Sequence, residues 1–224
     1  SFSVYTDGDY SDGIVAVGQG YYDSGTATAY AGSAYVDSAF VTTSGYNAYG
    51  IYAAAGGGDV EVHSYYVETS GDFSVGIYAA AFNYYDSGNL LNLQGDVYVE
   101  NSFLVITSGD FSTGIQAYAE GGDIDIFSNA VRTYGDFSDG INAFGAYYLD
   151  PVLLTYYSGD VLVSSAIVQT FGDFSDGISA YAAGGDVTVY ATSVRTYGLG
   201  SDAIYAGTGG FDANNSDDVE VYTY

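Results

Sequence analysis

The amino-acid sequence predicts an all-β chain wound into a parallel β-solenoid of about seven coils, and three observations carry that expectation. One is a recurring turn. Gly8-Asp9-Tyr10-Ser11-Asp12-Gly13-Ile14 returns as Gly71-Asp72-Phe73-Ser74-Val75-Gly76-Ile77, and again at 109–115, 135–141 and 172–178, with degraded copies at 45–51 and 198–204. The second is spacing. The residue before each Ile falls at 13, 50, 76, 114, 140, 177 and 203, so steps of 37 or 38 residues alternate with steps of 26. Short and long coils therefore alternate, and the full unit is a pair about 63 residues long. The third is apolar alternation with period two and no helical period, the mark of short strands with one buried side.

Each element of the short coil follows from its residues. After the turn, Ile51, Ala53 and Ala55 alternate with other residues, as do Ile115, Ala117, Ala119 and Ile178, Ala180, Ala182, which gives a first strand. Ala at the later inward positions suits a narrow interior. A Gly-Gly-Asp corner follows at 57–59, 121–123 and 184–186. The second strand carries Val60 and Val62, Ile124 and Ile126, Val187 and Val189. The third is a Val-x-Thr run at Val67 and Thr69, Val131 and Thr133, Val194 and Thr196, its Thr inside or at a corner. Coils stacked at the ~4.8 Å strand spacing make a rod roughly 34 Å long, one domain over 1–224 whose equivalent residues form ladders.

The long coils carry about 11 extra residues between the first and second strands. These inserts begin at Tyr21-Tyr22, Tyr84-Tyr85 and Tyr147-Tyr148, and each runs through a turn into an apolar or aromatic segment, which predicts β-hairpins. Hairpins on every second coil recur every ~9.6 Å, so neighbours are expected to join into one lateral antiparallel sheet. That sheet is expected over the outward side of the first strand, where Tyr52, Tyr78, Tyr118, Phe144 and Tyr181 point by alternation.

Composition narrows the partners. The 224 residues hold 28 acidic against 2 basic side chains, a formal net charge of -26, so nucleic acid and anionic lipid are poor partners. No apolar run approaches the ~18 residues of a membrane span. With no Cys there is neither a disulfide framework nor thiol chemistry. A first residue other than Met suggests a processed or trimmed segment.

The cycle GDFSDGISAYAAGGDVTVYATSVRTYG, Gly172 to Gly198, resembles the repeats of bacterial autotransporter passengers and related surface proteins with parallel β-helix folds. The resemblance covers the chain apart from its inserts. It implies a secreted or surface-displayed protein without enzyme activity.

The two ends are complementary in phase. Asp218 to Tyr224 reads like the second strand of an intact coil and stops mid-circuit, whereas Phe2, Val4 and Thr6 read like the missing third strand. A solenoid end is an unpaired strand edge, and head-to-tail contact that closes no ring makes a filament. The expected self-assembly interface is therefore Phe2, Val4, Thr6, Val219, Val221, Tyr222 and Tyr224, with Tyr21, Tyr22, Tyr84, Tyr85, Tyr147 and Tyr148 on a lateral surface. A segment cut from a longer repetitive chain would show the same phase match.

Candidate chemistry centres on the turn aspartates. Asp9, Asp72, Asp110, Asp136 and Asp173 share one position, with Asp12, Asp139 and Asp176 nearby. Like charges ~4.8 Å apart repel by roughly 1 kcal/mol in water. Either the carboxylates cap the N–H groups of their own turns, or Ca²⁺ bridges them. Stacked Tyr10, Phe73, Phe111, Phe137 and Phe174 form an aromatic ladder. His63, the sole histidine, faces outward, and with no Cys a zinc site or a nucleophilic triad has no support. Arg132 and Arg195 share an outward column with Glu68. Asn214-Asn215-Ser216 fits a glycosylation sequon. The expected function is an extracellular or cell-surface structural subunit, not an enzyme, that polymerises head-to-tail with itself. The alternative is a monomeric surface adhesin binding glycan or a host surface.

Overall fold

The computed structural model describes residues 3–26, 28–86, 91–150, 154–209 and 217–224. The chain is a parallel β-solenoid, and among the described residues there is no helix. Face 1 stacks Ile14–Gly18, the opening of Ile51–Thr69, then Ile77–Phe82, Ile115–Glu120, Ile141–Ala146, Ile178–Ala182 and Ile204–Thr208 as seven parallel rungs. Faces 2 and 3 are carried together by strands that turn a corner: Gly32–Ser44, Ile51–Thr69, Val97–Thr107, Ile124–Thr133, Val161–Thr170 and Val187–Thr196. Val219–Thr223 adds the last rung of face 2, and Val4–Asp7 supplies the first rung of face 3.

Register is kept from end to end because every inward position must stay inward. Ile14, Ile51, Ile77, Ile115, Ile141, Ile178 and Ile204 form one column, and its five interior members are fully buried. Val60, Val97, Ile124, Val161 and Val187 form another, with Val67, Val105, Val131 and Val168 on face 3. Burying each such side chain contributes roughly 1.5–3 kcal/mol. The one step of 38 residues is absorbed by a bulge between Asn101 and Leu104, so the register on either side survives.

The Gly-Asp-Phe-Ser corner is the costly part of the coil. Phe73, Phe111, Phe137 and Phe174 adopt left-handed backbone with φ of 54–59°, as do Tyr10 and Asn47 in the same column. Each such residue costs on the order of 1–3 kcal/mol. Stacking offsets much of it: the rings of Phe73, Phe111, Phe137 and Phe174 follow one another at 4.9, 5.0 and 5.2 Å, nearly parallel. Such pairs contribute ~0.5–1.5 kcal/mol beyond burial. Inside the corner the Thr hydroxyls of Thr43, Thr69, Thr107, Thr133 and Thr170 donate to turn carbonyls five residues on. These Thr are buried, in keeping with the expected place inside or at a corner.

Hairpins occur where the long coils predict them. Tyr21–Asp23 pairs with Thr28–Tyr30, Tyr84–Asp86 with Leu91–Leu93, and Tyr148–Leu149 with Tyr156–Tyr157, all antiparallel. Among the described residues the expected joint lateral sheet is not formed: each hairpin is its own two-stranded sheet. The second lies at the corner between faces 1 and 2, where Tyr84 and Leu93 crowd Gly57, not over the outward side of face 1. That side is finished by its own side chains. Its rings fall in two columns, Tyr52 on Tyr78 at 5.1 Å, and Tyr118, Phe144 and Tyr181 at 6.0 and 5.5 Å. With these rings stacked on one another, the apolar outer side has no need of a covering sheet.

Candidate assembly surfaces

Neighbouring rungs are tied by two sets of side-chain hydrogen bonds that run in opposite directions. The turn aspartates face onward. Asp72, Asp110, Asp136 and Asp173 each accept, through Oδ1, the backbone N–H of the equivalent residue one rung later, at 2.9, 2.9, 2.8 and 2.7 Å. Asp139 and Asp176 do the same in a second column, at 2.8 and 2.7 Å. The Gly-Gly-Asp corners add a third: Asp59, Asp96, Asp123, Asp160 and Asp186 accept from the rung beyond at 2.8–3.1 Å. The expectation that each Asp caps its own turn is thereby corrected. The coil advances along the axis by one strand spacing, which brings the next turn's amide closer to the carboxylate than its own.

The serines of the same turns face back. Ser74, Ser112, Ser138 and Ser175 accept the N–H of the residue one rung earlier at 2.9 Å and donate to a glycine carbonyl of that earlier rung at 2.9–3.1 Å. At the Asp columns a rung therefore presents carboxylate acceptors on its later side and amide donors on its earlier side, while its serine hydroxyls reach back. The solenoid is polar, and its two ends are chemically different.

The earlier end carries Val4 and Thr6, paired with Val41 and Thr43, together with Ile14 of face 1, all only half-buried. The later end carries Val219 and Val221, stacked on Val187 and Val189. Their exposures of 44% and 45% contrast with 0% for those two partners, because no described rung lies beyond them. Tyr222 stacks on Tyr190 at 4.9 Å and donates to Glu220, and Tyr224 is exposed. The expected interface residues thus fall into two groups at opposite ends of the rod. Phe2 and the sequon at Asn214 lie outside the described residues.

On the lateral surface Tyr21 stacks with Tyr30 at 5.0 Å, and Tyr21, Tyr22 and Tyr147 are exposed. Tyr84, Tyr85 and Tyr148 are half-buried against the coil. Burial, and after it the carboxylate of Asp150, raises the Tyr148 hydroxyl above its ordinary value. Tyr66 and Tyr118 are pushed up to about 12, first by burial and then by hydrogen bonds to Glu68 and Glu120.

His63 stands outward on face 2 between two carboxylates, 2.6 Å from Glu61 and 3.1 Å from Glu100, with the rings of Tyr35 and Tyr98 beside it. The hydrogen bond to Glu61 leads in raising its pKa. Both ring nitrogens face carboxylates, which favours the charged imidazole and leaves neither nitrogen for a metal. Among the described residues no group of three or more His, Asp and Glu side chains is arranged to hold a metal ion.

Arg132 and Arg195 do share the column of Glu68. Arg132 donates to Gln169 at 3.0 Å, while Arg195, on the last described rung of face 3, is exposed. Sequence reasoning missed that the first rung of this column is Tyr5, exposed at the opposite end. It also missed the serine ladder, although the Ser that follows the aromatic in five of the seven turns was its signal. No family model, no curated protein and no solved structure matches this chain.

Proposed function

We propose that this chain is an extracellular structural protein, a β-solenoid subunit that assembles head-to-tail into a filament through its end rungs. The observation that carries the reading is the pair of open ends, where columns buried elsewhere along the rod emerge half-exposed. Their edges continue in register. A second copy placed one rung beyond Val219–Thr223 sets its Ala34 and Val36 on Val219 and Val221, and the amide of its Ser33 over the Asp218 carboxylate. It also sets its Tyr5 over Arg195 at one strand spacing, within the range of a cation–π contact. Each rung gained adds main-chain pairing of the kind that ties the coils within the chain. The acidic sides keep neighbouring rods apart. Calcium bridging the second oxygens of the Asp columns would work against that separation and gather rods sideways.

A glycan-binding surface finds less support. The turn aromatics spend their faces on one another and offer only ring edges outward, whereas a sugar needs a ring face.

The test is electron microscopy and analytical sedimentation of the purified 224-residue chain over a concentration series, with and without EDTA. Filaments one solenoid wide, diffracting at ~4.8 Å along their axis, support the reading. A monodisperse monomer at every concentration overturns it. The mass of the native polypeptide distinguishes copies of this chain from further coils of a longer one.

A further inference from the structure

Six of the seven turns place glycine immediately before the face 1 isoleucine, and the structure shows why. A Cβ built on Gly13, Gly50, Gly76, Gly114, Gly140 or Gly177 would lie 2.4–2.6 Å from the backbone carbonyl of the equivalent residue one rung later. It would also lie 2.3–2.6 Å from a Val Cγ1 on the face 3 strand of that later rung. Carbon atoms do not approach a carbonyl oxygen that closely, so each of these glycines is required by the rung stacked beyond it. The seventh position is Ala203, on the last described turn.

We infer that Ala203 is a steric brake on the joint between copies. The inference rests on the head-to-tail reading and specifies how that joint is regulated. Register puts the Gly13 carbonyl and a Val4 methyl of the incoming copy where the Ala203 methyl already stands. The corner must open by about 1 Å to relieve the overlap.

Two further departures fall in the same turn. Leu199 replaces the aspartate that would accept the incoming Asp9 amide, and Gly200 replaces the aromatic on which Tyr10 would stack. Space, acceptor and ring are missing together at this corner, while Asp218, Val219 and Val221 on face 2 keep the interior pattern. The joint is consequently held on faces 2 and 3 and splayed at the turn. It is weaker than any contact between coils of one chain, which keeps free subunits from fusing indiscriminately.

The experiment compares the full chain with Ala203→Gly and with the triple variant Leu199→Asp, Gly200→Phe, Ala203→Gly, which restores the interior turn. The readout is the critical concentration for assembly by sedimentation. Ala203 faces no described rung beyond it, so Ala203→Gly folds as the parent does, which circular dichroism checks. Relief of overpacking of ordinary size lowers the critical concentration roughly five- to a hundredfold, and the triple variant lowers it further. Assembly of the variants alone, with the parent monomeric at every concentration, overturns the head-to-tail reading of the parent chain and with it the brake as a regulator of that joint. If the parent assembles and Ala203→Gly matches its critical concentration, the brake is overturned and the head-to-tail reading stands. If parent and both variants all stay monomeric, both fall.

Discussion

Replacing Ser138 with Ala tests the internal hydrogen-bond ladder. Its Oγ is fully buried, accepts the Ser112 amide at 2.9 Å, and donates to the Gly109 carbonyl at 3.1 Å or the Asp136 carbonyl at 3.0 Å. Deletion strands a buried donor that water cannot reach. Such a donor costs about 1–3 kcal/mol, and the lost donation to carbonyl adds about 0.5–1.5 kcal/mol. A loss of about 1.5–4.5 kcal/mol is expected, read as urea-midpoint displacement at constant slope and as faster hydrogen exchange at the Ser112 amide. Asp136→Asn is the control at the same turn. It keeps an acceptor for the Asp173 amide and removes one charge from an acidic column in solvent, so it is expected to be neutral or slightly stabilising. A Ser138→Ala variant within about 0.5 kcal/mol of the parent, with Ser112 exchange unchanged, would refute the claim that these ladders hold the coils together.

Three shorter predictions complete the set. His63 should titrate above 6.5 in an NMR experiment, since Glu61 and Glu100 favour its charged form. Because its folded pKa is raised, its contribution to stability is present below about 6.5 and lost as pH climbs through the folded value; His63→Gln should abolish that dependence. Asp125 is held above the ordinary carboxylate range by burial and then by Asp123, Asp96 and Asp160, so its charge opposes folding at neutral pH. Asp125→Asn should raise the melting temperature at pH 7, with the gain shrinking toward pH 3 as the parent's carboxyl protonates. Arg195→Gln should raise the critical concentration for assembly about two- to fivefold, while Arg132→Gln, identical in charge but interior to the rod, should leave it unchanged.

Much of the fold was legible because stacking turns sequence spacing into spatial register. Once Phe111 and Phe137 are 26 residues apart in matching turns, a ring contact at 5.0 Å follows from the strand spacing. The hairpin positions followed from the Tyr pairs in the same way. Whether the hairpins fuse did not, because that depends on how each insert leaves the corner near Gly57. The onward reach of the aspartates was also hidden: Asp136 has amides of two turns within plausible range, and only the axial advance of the coil selects Asp173. Of the assembly surface, the apolar end columns were readable from Val4, Val219 and Val221. The proposed pairing of Tyr5 with Arg195 needed the whole column, which passes through a Thr, a Glu, an Ile, an Arg and a Gln with no common chemistry.

By itself the sequence determined the winding, the number of rungs and the identity of the buried columns, since a one-residue slip would send every Ile and Val of a strand to solvent. Only the tertiary structure decided the direction of the ladders and the meaning of the seventh anchor. Direction comes from where an amide lies relative to a carboxylate along the axis. The cost proposed for a methyl at Ala203 is read from the six anchor glycines, each of which faces a carbonyl of the rung beyond, and distances of that kind exist only when the coil is built.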